Sequence, residues 1–180
     1  MRSEVSDYIL DNIRQTLKGV PDQAVNEFID SILAARKVFI YGVGRSGLTG
    51  KMFAVRLVQM GLDVHFVGDM TTPIVGEEDL SIIISHTGET MSIVQTANIS
   101  RRMGCKVVGI TSDENSKLSH ASNTVVLMQV PHNGEKVVLA PLGTLFEDAV
   151  ILFFDSIVPL LMAKLEENEC NMRQRHAIWV

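Results

Sequence analysis

The sequence predicts a three-layer α/β/α sandwich built on a parallel sheet, and three observations predict it. Short apolar runs alternate along the chain with segments of helical period. The runs are apolar throughout rather than every second residue, as expected where helices cover both faces of a sheet. Two of the runs end in glycine- and hydroxyl-rich turns that open the next helix. These are Gly42-Val43-Gly44-Arg45-Ser46-Gly47 and Ser85-His86-Thr87-Gly88-Glu89-Thr90.

Residues 1–18 read as a helix, because Val5, Tyr8, Ile9, Ile13 and Leu17 fall near helical spacing. Gly19-Val20-Pro21 breaks it. A second helix is expected over 22–36, with Val25, Phe28, Ile29, Ile32 and Leu33 on one side. A strand over 37–41 leads into the first turn. Helical period resumes over 46–60, and Gly61 suits a C-terminal cap. A short strand at 64–67 precedes a loop at 68–79 that carries Thr71-Thr72-Pro73. The strand at 80–84 leads into the second turn and a helix over 89–103, closed by Gly104. A β-branched strand at 106–111, a short helix near 116–121 and a strand at 124–129 follow. Residues 130–142 read as a loop, 144–168 as a long helix, and a final short helix is expected at the C-terminus. The chain divides into N-terminal helices (1–36), a sheet core holding both turns (37–130) and C-terminal helices (143–180), all within one domain (1–180).

A chain of 180 residues with 46% hydrophobic residues has enough material for a core and is not a disordered segment. The net charge of -5 and the lack of a basic block argue against a nucleic-acid surface. The greasiest stretch, 149–163, is too short to span a bilayer and contains Asp155 and Pro159. The first residues carry Arg2, Glu4, Asp7 and Asp11, unlike a signal peptide. Cys105 and Cys170 form no CxxC pair, so free thiols in a cytoplasmic, soluble protein are expected. His65, His86, His120 and His132 show no metal-ligand spacing with one another or with the cysteines, so no metal is expected.

The first turn matches the G-x-G-x-x-G dinucleotide fingerprint, and Asp69 lies about where a ribose-binding acid would. Three features weigh against that reading. The chain has no room for a separate substrate domain, Arg45 places a cation in the turn, and the third strand ends in a second hydroxyl-rich turn that a dinucleotide fold does not require. The plainer alternative is that the glycines only permit a tight turn. In the second turn Ser85, Thr87 and Thr90 present hydroxyls, and Gly88 lets a ligand approach the backbone. Capping by Thr87 or Thr90 is the alternative, but one cap needs one hydroxyl. Two such turns at one sheet edge suit a small phosphorylated molecule.

The ordered set Val43-Gly44-Arg45-Ser46-Gly47, Thr71-Thr72-Pro73, Ser85-x-Thr87-Gly88-x-Thr90, Gly143-Thr144-x-Phe146-Glu147 and Arg175-His176 resembles the sugar isomerase (SIS) domain family, and within it the 6-phospho-3-hexuloisomerases. The resemblance runs from about residue 20 to the C-terminus. It implies a single flavodoxin-like or Rossmann-like domain with a five-stranded parallel sheet. It also implies interconversion of 3-hexulose 6-phosphate and fructose 6-phosphate without a cofactor, in a homotetramer with sites near subunit boundaries. His86 departs from the pattern, since the family's phosphate turn often has a small residue there.

Such a reaction needs a base, stabilisation of an enediol and exclusion of water. Glu147 is the candidate base by the resemblance. By spacing alone, Thr144-x-x-Glu147 reads better as a capping box, a preference that the resemblance reverses, and Asp148 beside it suits the helix dipole. His176 is the second catalytic candidate, able to assist ring opening or shuttle a proton, since a terminal segment can reach a neighbouring subunit's pocket; a solvated tail residue is the alternative. Gly44, Arg45, Ser46, Ser85, His86, Thr87, Gly88 and Thr90 are candidate substrate contacts. Thr71 and Thr72 join them from the loop after the second strand, or serve ordinary turn chemistry. Lys51 and Arg56 read as surface charges, and Arg101-Arg102 as a dipole-matched helix end. The long C-terminal helix is apolar around nearly its whole circumference, which suggests burial partly against other subunits. Two other functions remain open: a non-catalytic sugar-phosphate sensor, and an isomerase for a pentose or heptose phosphate. The short, acidic N-terminal segment counts against a DNA-binding head.

Overall fold

The computed structural model describes residues 2–131 and 134–176. His132, and the stretch 177–180 of the expected C-terminal helical segment, lie outside the described residues.

Five strands form one all-parallel sheet: β1 (Val38–Gly42), β2 (Val64–Phe66), β3 (Leu80–Ile84), β4 (Lys106–Thr111) and β5 (Thr124–Leu127), in the order β2-β1-β3-β4-β5. The register pairs Val38 with Leu80 and Leu80 with Lys106, so the strands end nearly level. Every residue of β3 is buried, as a central strand covered on both faces requires.

Alternation along the strands sorts the core into two layers. Val38, Ile40, Leu80, Ile82, Ile84, Val108 and Ile110 face a large cluster that includes side chains of α2 (Asp22–Ala34), α3 (Gly44–Gln59) and α7 (Thr144–Lys164). Ile83 and Val107 point the other way, onto Ile93 and Ala97 of α4 (Met91–Arg102) and Leu118 of α5 (Lys117–His120). The larger layer is built around Phe28, Phe53, Phe153 and Phe154; the Phe53 and Phe154 rings stack with centroids 4.0 Å apart. Burial of each such side chain contributes roughly 1.5–3 kcal/mol. The helix α1 (Arg2–Lys18) packs on α7, and Thr16 donates to the Gln129 carbonyl at 3.0 Å.

The order β2-β1-β3 places a topological switch point between β1 and β3. The chain leaves β1 toward one edge of the sheet and returns at β3 to build toward the other. A crevice therefore opens beyond the carboxyl ends of these two strands. Both glycine-rich turns lie there.

The segment 130–142, expected to be a loop, contains a six-residue helix, α6 (Gly134–Leu139). Pro131 and Pro141 bracket it, and so short a helix leaves too few turns for a period to show. The long helix α7 ends at Lys164, short of the expected 168. Glu166 takes a left-handed φ of 55°, and Asn168 caps α8 (Glu169–Gln174) by accepting from the Asn171 amide at 3.0 Å. The apolar circumference of α7 has a mainly intramolecular explanation. Phe146, Val150, Phe153, Phe154, Ile157 and Leu161 are buried within this chain, while Leu152 and Leu160 stay about half exposed.

Candidate active site

The first turn is held by a backbone contact that only glycine permits. A Cβ on Gly47 would stand 2.4 Å from the Gly42 carbonyl oxygen, so the end of β1 and the first turn of α3 touch directly. α3 starts at Gly44, two residues earlier than its period suggests. Its N-cap, Val43, makes no side-chain cap bond, and its first turn has no acidic residue. The positive end of the helix thus carries no built-in anion.

The second turn is braced from behind. Gly88 has φ +65°, and a Cβ there would fall 2.2 Å from Ser116 Oγ. Ser85 Oγ accepts from the Gly88 amide at 3.1 Å, and Thr87 Oγ1 accepts from the Glu89 amide at 3.3 Å. The His86 carbonyl accepts from Thr111 Oγ1 (3.1 Å), Ser112 Oγ (2.8 Å) and the Ser112 amide (3.1 Å). α4 then begins at Met91 with Thr90 at its N-cap. Thr90 makes no side-chain cap bond, and again no acid lies in the first turn. The capping alternative therefore does not consume the hydroxyl of Thr90.

Both turns line one cavity of about 230 Å³. Its polar wall is Ser46 from the first turn with Ser85, His86, Thr87 and Thr90 from the second. Ser46 and Ser85 are buried, and Thr87 and Thr90 open to solvent. Larger hollows lie elsewhere, and two of them matter to the site. One, of about 970 Å³, runs along α4 past Arg101, Arg102 and the ion-paired Glu89 and Lys117; the other, of about 540 Å³, lies between α3, β2 and Arg175-His176. Neither is lined by a glycine or a hydroxyl of either turn, and size alone does not hold an anion.

A carboxylate stands beside the cavity. Glu147, in the first turn of α7, is nearly buried and accepts a hydrogen bond from Arg45 Nε. Arg45 Nη2 lies 3.8 Å from Asp148 Oδ1. The side chain of Arg45 is 63% exposed against 11% for Glu147, so the guanidinium covers the carboxylate from the solvent side. The hydrogen bond and charge of Glu147 raise the Arg45 pKa above its ordinary value. Burial pushes the Asp148 carboxyl up, opposed by Arg45 and reinforced by Glu147. Phe146 ties this corner to the second turn, since its ring lies 5.1 Å, centroid to centroid, from the His86 imidazole.

The capping box that the spacing alone suggests does not form. The N-cap of α7 is Gly143, and Thr144 donates instead to the Pro141 carbonyl at 2.7 Å. Glu147 turns to Arg45. A Cβ on Gly143 would come within 2.9 Å of Glu147 Oε1, so the glycine leaves room for the carboxylate.

The remaining candidates lie apart. Thr72 Oγ1 donates to the carbonyls of Asp69 (2.6 Å) and Phe66 (3.1 Å), which is turn chemistry, and Thr71 is exposed. Neither lines the turn cavity. His176 lines the hollow beside α3 with Lys51, Phe66 and Asp69, not the turn cavity. Arg175 next to it donates to the Gln59 carbonyl (3.0 Å) and to Glu167 (2.9 Å). Lys51, expected to be a plain surface charge, sits 4.5 Å over the Phe66 ring. Sequence reasoning missed Thr111, Ser112 and Ser116. The signal was available: Thr111 ends β4 and Ser112 and Ser116 follow it, at the next strand to end at this sheet edge.

Among the described residues no cluster of three or more His, Cys, Asp or Glu side chains suits a metal, and no helix is long and apolar enough to cross a membrane. Both cysteines are free.

The model of the SIS domain matches residues 31–146, well over half of the chain and all of both turns. The chain belongs to the SIS domain family. Among its SIS relatives, the 3-hexulose-6-phosphate isomerase of Bacillus subtilis is 32% identical over 173 residues, covering 94% of this chain and 94% of its own length. That of Methanocaldococcus jannaschii is 34% identical over 152 residues, covering 84% and 82%. A crystal structure of a Methanococcus jannaschii protein, described as having an inferred function of 3-hexulose-6-phosphate isomerase, superposes with a TM-score of 0.89 at 30% identity, over 98% of this chain and 99% of that one. The named relatives that span most of the chain are isomerases, and the five-stranded parallel sheet described above is consistent with this family.

Proposed function

We propose that this chain is a phosphosugar isomerase that interconverts 3-hexulose 6-phosphate and fructose 6-phosphate through an enediol. The observation that carries the reading is where the Arg45–Glu147 pair stands. Arg45 precedes the cavity residue Ser46, and Glu147 follows Phe146, whose ring meets His86. An anion site and a carboxylate base are thereby held on adjoining elements. The names of the relatives that span the chain support the choice of sugar.

In this reading the phosphate sits on the turn cavity, among the hydroxyls of Ser46, Ser85, Thr87 and Thr90 and the first amides of α3 and α4. Gly44 and Gly88 keep the backbone open to it. Anchoring the tail holds the reacting carbons against Glu147. Glu147 removes the proton from C2 of the 3-hexulose; the C–H electron pair forms the C2–C3 double bond and the C3 carbonyl oxygen takes the charge. The proton on the C2 oxygen passes to the C3 oxygen, protonated Glu147 returns its proton to C3, and the carbonyl re-forms at C2. Arg45 must release Glu147 for this to occur, and the developing enediolate is the anion that draws it away. Thr71 and Thr72 are placed to meet the sugar only if their loop moves.

His176 enters this scheme from a neighbouring subunit, which is why we propose a homotetramer with sites near subunit boundaries. An exposed apolar stripe on α3 (Leu48, Met52, Val55) supports assembly. The same reading takes the whole chain as one domain working without a cofactor, and two free thiols suit the cytoplasm.

The test is a panel of hexulose, pentose and heptose phosphates followed by proton NMR in deuterated water. Exchange at the carbon next to the carbonyl for the hexulose pair, lost in Glu147→Gln, is the expected result. Exchange that persists at full rate in that variant rejects Glu147 as the base. Turnover of a pentose or heptose phosphate alone moves the assignment to that sugar, and binding without exchange makes the chain a sensor.

A further inference from the structure

Glu147 and Asp148 are consecutive on α7, and one guanidinium faces both. Arg45 Nε donates to Glu147, while Nη2 stops 3.8 Å from Asp148 Oδ1, outside hydrogen-bond range. Among the described residues the Asp148 carboxylate has no other hydrogen bond or ion pair. Its side chain is 34% exposed; burial and the neighbouring Glu147 raise its pKa, and only Arg45 lowers it. Asp148 is therefore an acceptor without a donor, beside a cation that already binds its neighbour.

The Arg45–Glu147 pair is an obstacle to proton abstraction. A carboxylate held by a guanidinium is a weaker base than a free one. Taking the cation away altogether would leave a nearly buried charge unpaired, which is strongly unfavourable. A cation that shifts to an adjoining acceptor meets neither difficulty. Glu147 loses its hydrogen bond, and the positive charge stays beside it. The freedom for such a shift is present, because the Arg45 side chain is 63% exposed and the space over Gly44, next to it, is open.

We infer that Asp148 is a positioning residue for the reaction: it receives the guanidinium of Arg45 when substrate binds, and so frees Glu147 to act as base. The inference rests on the reading of Glu147 given above and adds the residue that releases it. Asp148 stays ionised, exchanges no proton and touches no reacting atom. It acts through Arg45, which separates it from two plainer roles. A carboxylate that only matches the helix dipole would alter stability and not rate. A like charge acting directly on Glu147 would alter rate whether or not Arg45 were present.

The experiment follows deuterium exchange at C3 of fructose 6-phosphate by proton NMR in deuterated water, with affinity measured by calorimetry. Wild type, Asp148→Asn, Asp148→Glu, Arg45→Gln and the Asp148→Asn/Arg45→Gln double variant are compared. Asp148→Asn should slow exchange about tenfold, in kcat rather than KM, with affinity held within about twofold. Asp148→Glu keeps the charge on a longer arm and should recover most of the rate. In the Arg45→Gln background, Asp148→Asn should have no further effect. Exchange at full rate in Asp148→Asn overturns the inference. A loss of the same size in the Arg45→Gln background overturns it equally, because Asp148 would then act on Glu147 directly. If Arg45→Gln does not fold or exchanges too slowly to follow, Asp148→Glu decides, and a rate no better than that of Asp148→Asn overturns the inference. Exchange that survives Glu147→Gln removes the base and the inference with it. Exchange lost in Glu147→Gln but kept in Asp148→Asn removes the inference alone.

Discussion

Arg45 and Glu147 lie 102 positions apart and form an ion pair across the mouth of the site, the guanidinium outside and the carboxylate within. The pairing settles a competition that local sequence leaves open. A threonine and a glutamate at capping-box spacing would normally bond each other's backbone ends. Here Gly143 takes the N-cap, and the glutamate is released to a tertiary partner.

The pair predicts the behaviour of Glu147→Gln. The amide accepts from Arg45 but cannot take a proton. Activity should fall by about 10²–10⁴-fold with little change in KM, the range expected for loss of a general base. Steady-state kinetics with fructose 6-phosphate checks it; a variant that loses affinity and keeps turnover contradicts the role.

Asp148 predicts a pH effect on stability. Burial raises its pKa in the folded state, so the folded protein binds more protons than the unfolded chain in the window above the ordinary value of 3.8. The group therefore lowers stability as pH rises through that window. Asp148→Asn should stabilise the protein slightly near neutrality, and the gain should vanish toward acid pH. Thermal melts of both proteins across this range measure it, and a gain that grows on acidification rejects the sign.

The two hydroxyls Ser85 and Thr90 separate structure from binding. Ser85 Oγ already accepts from the Gly88 amide, whereas Thr90 makes no cap bond. Ser85→Ala should cost about 1 kcal/mol of stability and weaken phosphosugar binding. Thr90→Ala should leave the melting temperature within about 1 °C and still raise KM several-fold, where loss of a true N-cap would cost roughly 1 kcal/mol. Equal stability losses in the two variants contradict the distinction.

How far the sequence speaks depends on the range of the interaction. β3 and β4 are legible to the residue, because a strand covered on both faces writes a mostly apolar run rather than an alternating one. Both turns are legible because glycine and hydroxyl residues at a strand end have few other uses. α6 is not, since six residues between prolines carry no period. The Arg45–Glu147 pair, the brace of Ser116 behind Gly88 and the Phe146–His86 contact are not written locally at all. They arise from strand order, which brings separate turns to one sheet edge. His176 marks the opposite case: a motif points to it, and the fold of one chain places it in another hollow.

Gly88 tests that brace. Alanine there meets two obstacles at once, a φ of +65° and a collision with Ser116 Oγ. The left-handed conformation alone costs an L-residue roughly 1–2 kcal/mol. Gly88→Ala should lose at least that much stability. Gly88→Ala combined with Ser116→Gly should recover the steric part and keep the conformational part. Denaturant melts of the single and double variants apportion the two. Because the turn supplies Ser85, Thr87 and Thr90, the single variant should also bind phosphosugar at least about tenfold more weakly. A single variant of full stability would mean the turn is not held as described.

The outer face of α3 predicts how the chain assembles. Leu48, Met52 and Val55 recur at helical spacing and are 63%, 54% and 55% exposed, beside the hollow that contains His176. An apolar stripe of this kind is unfavourable in water and favourable between subunits. If α3 forms a subunit boundary, Met52→Lys places a charge in the seam without touching the core or the turns. Light scattering at micromolar concentration should show a wild-type oligomer and a smaller species for Met52→Lys. If His176 is supplied by the neighbour, activity should fall with dissociation while phosphate binding at the turn cavity persists. Dissociation with undiminished activity would place the whole site in one chain, and a wild-type monomer would remove the boundary altogether.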